Sequence, residues 1–310
     1  MGLIFVFVSF ALLPQLLLIK RTVDSTTDYQ TAVSSGHNME QMELKLYQNG
    51  ALDWLLKSKY ARSHTNGEWA LEKVDGQYLN NTNEKIDFSS ERGKTNLKKK
   101  SFSLIGEVKA KSTTGYKLET NSLIFTTDEE KRRKFSTSDP VKIYNVGEKL
   151  EVLSVGLEGE VESGVVKLLS DVRCEKSVKN YKDILIQSDT AEFKSSLKSI
   201  RFRDNLRVSQ EKFKIKGEEA YFVYDEKNRT LKSVQVEGDI LASDGVKTAM
   251  SETVEMRTTE DVIIFQGNPR IKMGKNEMIG QEILITNKQK NIQVIRGNIK
   301  STKQGVKIND

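Results

Sequence analysis

Apolar and polar side chains alternate along most of this chain. From about residue 68 to 300 the period is two, the signature of strands with one dry and one wet face. Phe102, Leu104, Val108 and Ala110 fall on one face, with Ser103, Glu107 and Lys109 on the other. Val234, Val236, Ile240 and Ala242 alternate with Ser233, Gln235, Glu237 and Asp239, and Phe213 and Ile215 with Lys212, Lys214 and Lys216. Val254/Met256, Val262/Ile264, Ile283/Ile285 and Ile292/Val294 repeat the theme. Turn residues separate these runs at Thr113-Thr-Gly115, Asp128-Glu-Glu130, Asp225-Glu-Lys-Asn228, Asp244-Gly245 and Gly274-Lys-Asn276. Such short connections predict antiparallel neighbours, and no long helical pattern intervenes to build parallel βαβ units. The departure is Leu44 to Ala61, where Leu44-Lys-Leu46 reads as extended and Trp54-Leu-Leu56 as a helical turn.

A Gly-x-apolar element recurs at Gly106, Gly159, Gly238, Gly267 and Gly297. Glycine inside a strand marks a bulge or tight bend. Its repetition predicts hairpins that all curve the same way, as in a β-solenoid or an elongated β-jellyroll. Pro140 and Pro269 are expected at strand starts, where a missing N–H costs least.

The start of the chain differs from the rest. Met1 to Ile19 carries no charged side chain, and Lys20-Arg21 follow. As a helix this run reaches about 28 Å, close to the thickness of a hydrocarbon core. No basic residue precedes it and no A-x-A pattern follows, so an uncleaved anchor is favoured over a cleaved signal peptide. The expected organisation is a transmembrane anchor at 1–21, a polar tether at 22–43, β domains at 44–178 and 179–300, and a loose tail at 301–310.

Charge and chemistry narrow the function. The 49 basic and 43 acidic residues are interspersed, which reads as a solvated surface and not as a nucleic-acid footprint. The short runs Lys98-Lys99-Lys100 and Lys131-Arg132-Arg133-Lys134 read as charged turns, with a possible supporting role against anionic headgroups. The single cysteine, Cys174, forms no intramolecular disulfide and sits in a strand-like context as a small core residue. His37 and His64 have no ligand spacing, and no Gly-x-Ser-x-Gly elbow or phosphate-binding loop occurs. Ser195-Ser-Leu-Lys198 is a chance match to Ser-x-x-Lys. The reading is a non-enzyme with no cofactor and no metal.

The order of the strand motifs resembles two families of the lipopolysaccharide export system. Phe102-Ser-Leu-Ile-Gly-Glu-Val108, Gly115-Tyr-Lys-Leu-Glu-Thr120, Thr137-Ser-Asp-Pro-Val-Lys-Ile143 and Val165-Val-Lys-Leu-Leu169 resemble the LptC periplasmic domain. Ser188-Asp-Thr-Ala-Glu-Phe193, Val234-Gln-Val-Glu-Gly-Asp-Ile240, Ile263-Ile-Phe-Gln-Gly-Asn-Pro269 and Met278-Ile-Gly-Gln-Glu-Ile283 resemble the OstA or LptA domain. Here the two modules share one chain.

The resemblance implies an all-β fold, an elongated open β-jellyroll of two stacked antiparallel modules. It implies an apolar groove for acyl chains, with the body in the periplasm and a single-pass anchor in the inner membrane. Lys20-Arg21 run against that topology, because basic residues favour the cytoplasmic side. Candidate groove residues are Phe102, Leu104, Val108, Tyr116, Leu118, Phe213, Ile215, Phe222, Val234, Val236, Ile240, Met256, Ile264, Met273 and Ile285; each also reads as ordinary core. Implied partners are lipopolysaccharide, the inner-membrane ABC transporter components, and further OstA-like domains or the outer-membrane translocon met through the edge near Ile292 to Ile299. The alternative is a membrane-anchored structural or adhesive β-solenoid without lipid cargo. A carbohydrate-processing β-helix enzyme is a further rival.

Overall fold

Twenty of the described strands pair antiparallel, the architecture of hairpins and not of βαβ units. In this computed structural model the description covers residues 38–300, apart from 49–50, 65–66, 80–84, 97–100, 129, 131, 148, 162, 178–182, 195–198, 226–230, 258–259 and 287–290. The expected anchor, the tether before Asn38 and the tail at 301–310 lie outside the described residues. Within them, no helix is long and apolar enough to cross a membrane.

The strands fall into two units, divided inside one strand between Leu169 and Ser170. The N-terminal unit holds β1 (Asn38–Gln48), β2 (Ala51–Ser63), β3 (Glu68–Leu79), β4 (Lys85–Asn96), β5 (Ser101–Ser112), β6 (Lys117–Thr127), β7 (Arg133–Asn145), β8 (Leu150–Glu160) and the start of β9 (Val165–Lys176). Strands β1 to β8 pair in sequence as a meander. Neighbouring strands lie about 4.8 Å apart, so β2 and β6 would be about 19 Å apart in a flat sheet. Their rings Trp54 and Phe125 instead lie 5.1 Å apart. The sheet therefore folds over and brings its apolar faces together, as a jellyroll does.

The C-terminal unit continues with β10 (Ile184–Ser188), β11 (Thr190–Lys194), β12 (Ser199–Gln210), β13 (Phe213–Tyr224), β14 (Leu231–Ser243) and β15 (Lys247–Arg257). Six shorter strands follow: β16 (Val262–Gln266), β17 (Arg270–Met273), β18 (Asn276–Ile279), β19 (Glu282–Thr286), β20 (Asn291–Ile295) and β21 (Asn298–Lys300). One end of β15 pairs with β17 and the other with β16. The chain bends between these two strands at Gly267-Asn268-Pro269.

Bends at mid-strand recur, and the glycines explain them. Register breaks interrupt β5 between Ile105 and Val108 and β14 between Glu237 and Ile240. Gly106, Gly238 and Gly267 have positive φ, and so do Glu107, Asp239 and Asn268 after them. A paired left-handed step of this kind inserts residues into one strand and sharpens its twist. A glutamate on the preceding strand covers each glycine: Glu91 over Gly106, Glu218 over Gly238, Glu252 over Gly267. Buried serines fasten other bends, with Ser90 Oγ donating to Arg92 O at 2.8 Å and Ser188 Oγ to Thr190 O at 2.8 Å. Gly159 is different: it makes room for the Phe135 ring.

Three local expectations are corrected. Trp54-Leu-Leu56 is β strand, because Trp54 and Leu56 pair with Tyr78 and Gly76 and bury toward the core. Residues 38–43 belong to β1 and not to a tether, because Met42 and Leu44 alternate inward onto the core despite the polar residues between them. Pro140 lies within β7, beside the break between Thr137 and Pro140 where a ladder hydrogen bond is already missing. Pro269 sits immediately before β17, as expected.

Candidate functional site

An apolar cleft opens in the C-terminal unit, and the register of the strands builds it. Cross-strand partners share a face. One wall carries the rung Phe222, Val234, Met256, Ile263, Ile285, Ile292, followed by Ala220, Val236, Val254, Phe265, Ile283, Val294. Beyond the bends, the other wall carries Val208, Ile215, Ala242, Ala249, Ile271, Met278. Where the walls diverge, Ala242 and Ala249 are direct partners, and two methyl groups cannot fill the space opposite Ile263 and Phe265. The resulting cleft is small and open to solvent on one side, with a cavity volume of about 60 Å³. Phe213, Ile271, Ile285 and Ile292 complete its apolar lining, and Ser243, Asp244 and Lys247 form its rim.

The rim is a tight turn. The Asp244 carboxylate accepts hydrogen bonds from the N–H groups of Val246 and Lys247 at 2.9 and 2.7 Å. Burial alone would push its pKa up, but these bonds and the Lys247 charge hold it below the usual carboxylate range. The rim thus pairs a fixed carboxylate with an exposed ammonium.

The expected groove residues separate into groups. Phe213 and Ile285 line the cleft. Ile215, Phe222, Val234, Val236, Ile240 and Met256 share its face but are sealed into the core beside it. Met273 is half-buried at the end of β17. Ile264 faces the other way: its partners are Glu255 and Leu284, whereas Ile263 and Phe265 point inward with Met256 and Val254. Val262-Ile-Ile-Phe265 is apolar throughout, so alternation could not choose its inward parity; the pairing with β15 does. Ile263 and Phe265, both deeply buried, were missed for this reason; Ile271 was missed although Arg270 and Lys272 flank it and mark its parity, and Ala242 and Ala249 were missed as lining because small residues carry little hydrophobic signal.

In the N-terminal unit the interior is occupied by its own rings. Trp54 lies 4.6 Å from Tyr78, 5.7 Å from Phe88 and 5.0 Å from Phe102, and Phe102 stacks on Phe125 at 4.2 Å. Phe102, Leu104 and Val108 belong to this cluster or pack on it. Tyr116 is buried at the turn before β6, and Leu118 is half-buried opposite Ala110 and Ile143.

The cysteine does not line the cleft. Cys174 is buried in β9 against β10, and burial pushes its thiol up to about 12. Among the described residues no three His, Cys, Asp or Glu side chains converge in a metal-binding group.

The comparisons agree with the order of the motifs. Residues 3–177 match the family described as lipopolysaccharide-assembly, LptC-related. Residues 185–309 match the family described as LptA/(LptD N-terminal domain) LPS transport protein. Among solved structures, LptH, the LptA-homologous periplasmic component of the lipopolysaccharide transport device of Pseudomonas aeruginosa, is similar at 15% identity and a TM-score of 0.33. That match covers 42% of this chain and 89% of that one. Comparison with individual curated proteins gives no match.

Proposed function

Because this chain belongs to the LptC-related lipopolysaccharide-assembly family, we propose that it carries lipopolysaccharide across the periplasm, with acyl chains held in the cleft of the C-terminal unit. The observation that carries this reading is the cleft itself: a small apolar hollow left open by the Ala242–Ala249 pair beneath a charged rim. The apolar lining suits a stretch of acyl chain, and the Lys247 ammonium on the rim suits a headgroup phosphate.

Energetics favour a cleft that is open and not sealed. Each buried methylene contributes about 0.8 kcal/mol. A lipid with several long chains, wholly enclosed, would be held too tightly to be passed on. Partial shielding keeps transfer reversible, and direction comes from the ABC transporter components that spend the energy. The protein binds and releases its cargo without changing it, so it acts as a carrier and not an enzyme.

The remaining assignments belong to the same proposal. Residues 1–21 anchor the chain in the inner membrane, with the body in the periplasm. The outer edges of β20 and β21, which pair inward with β19 and β18, offer backbone groups to the next OstA-like domain or the outer-membrane translocon. In the N-terminal unit, the expected groove residues Phe102, Leu104 and Val108 serve packing, and cargo is held in the other unit.

The test is photocrosslinking of lipopolysaccharide to the full chain, with a photoreactive residue at Ile271 or Ile285 and outward controls at Lys272 and Leu284. Adducts at the inward pair alone are expected. Equal labelling at all four positions, or none in folded protein, would overturn the reading.

A further inference from the structure

Three turns of the C-terminal unit lie along one edge of the wall that ends at the cleft. They are Glu211-Lys212 between β12 and β13, Asp244-Gly245-Val246 between β14 and β15, and Gly274-Lys275 between β17 and β18. Register places them side by side, since Lys214 pairs with Ser243 and Lys247 with Met273. The middle turn ends in an apolar side chain with no cover: Val246 is 79% exposed. Lysines surround it. Lys212 packs its stem beside Gly245, Lys247 follows the turn, Lys275 tips the next one, and Lys214 and Lys272 stand one rung in on the outer face.

This basic fringe continues on the outer face. Arg207 stands directly opposite Lys216, a like-charge pairing that costs stability in a sheet. Leu241, the next partner of Lys216, is 41% exposed there. The acids at the edge are fewer than the lysines: Glu211 is exposed beside Lys212, Asp244 is occupied by backbone N–H groups, and Glu277 is shared between Arg270 and Lys272. A protruding apolar tip within a ring of lysines matches the requirements of an anionic bilayer surface, where apolar side chains enter the acyl boundary and ammonium groups meet phosphates.

We propose that this edge docks the C-terminal unit on an anionic lipid bilayer, with the Val246 turn entering the headgroup layer and Lys212, Lys214, Lys247 and Lys275 binding lipid phosphates. Docking there would bring the rim of the cleft to the membrane surface. The proposal does not require the cleft to hold an acyl chain, so it stands or falls separately from the carrier reading.

The test uses the full chain, reconstituted into vesicles of phosphatidylglycerol and phosphatidylcholine or of phosphatidylcholine alone. Val246→Cys carries an environment-sensitive fluorophore; Cys174, buried, stays unlabelled. Val146→Cys, at a turn tip 72% exposed in the other unit, is the control. Quenching by lipid-borne nitroxides is expected at position 246, on anionic vesicles only, and not at 146. Lys212→Gln with Lys214→Gln should weaken the anionic-lipid dependence roughly thirtyfold, at about fivefold per lysine. Inorganic phosphate at matched ionic strength should leave the quenching unchanged. No quenching at 246, equal quenching at 146, indifference to lipid charge, or displacement by free phosphate would each overturn the proposal, and none of them would alter crosslinking at Ile271.

Discussion

Filling the cleft should abolish cargo binding without unfolding the protein. Ala249 is half-buried on β15, faces the cleft, and pairs with Ala242. Ala249→Leu adds three carbons to a space that already exists, so the overpacking penalty of a full core does not arise. If an acyl chain occupies that space, the new side chain displaces about three methylenes. At about 0.8 kcal/mol each this removes about 2.4 kcal/mol, a loss of roughly sixtyfold in affinity. Fluorescent lipopolysaccharide titrated into the full chain measures the affinity, and circular dichroism during urea unfolding measures the fold. Thr248→Leu, one residue along and on the opposite face, should bind as the parent does. A folded Ala249→Leu protein with unchanged affinity would refute the assignment of the cleft to acyl chains, and with it the argument that the alanine pair is there to leave room.

Four further outcomes follow from the geometry. Gly76→Ala should destabilise the N-terminal unit by about 1–3 kcal/mol, because a Cβ there collides with the Phe88 ring and sits 2.8 Å from Leu55 O. Trp54 and Trp69, both in that unit, report it by fluorescence, and Phe88→Leu in the same chain should recover part of the loss. Photoreactive residues at Ile263 and Ile264 should divide, with lipid adducts at Ile263 alone, because register turns Ile264 to the opposite face. Cys174 should resist a thiol reagent near neutral pH and react promptly once the chain is unfolded in denaturant, as a thiol pushed up to about 12 requires. Burial would raise Asp128, but hydrogen bonds from the Arg132 backbone and from the Lys134 and Arg132 side chains lower it to about 2. A depressed carboxylate stabilises above its ordinary range and stops doing so as pH falls through the folded value. The β6–β7 hairpin should thus lose this support between about pH 4 and pH 2, and melting curves of Asp128→Asn should lack that component.

The legible part of the site was the part that alternates. Phe213 was read as inward, and it lines the cleft, because Lys212 and Lys214 flank it and mark its parity; Ile285 also lines the cleft, with a polar neighbour only at Thr286. Ile264 falls on the face opposite Ile263 and Phe265; its immediate neighbours are apolar, so its parity depends on which residue of β15 it meets. The helical turn expected at Trp54-Leu-Leu56 failed for the same reason: a short apolar cluster has no period of its own, and its pairing with β3 set it as strand.

The sequence by itself determined the antiparallel all-β class, the hairpin turns, the inward glycine bends at Gly106, Gly238 and Gly267, and the order of the two transport-family modules. These are local properties, set by period, turn chemistry and backbone freedom over a few residues. Tertiary structure alone decided where apolar surface is spent and where it is left open. The rings from β2, β5 and β6 close the interior of the N-terminal unit, while Ala242 beside Ala249 leaves a cleft in the other. Both results depend on residues brought face to face across a folded sheet, and such meetings are fixed by register and bend and not by any one segment of chain.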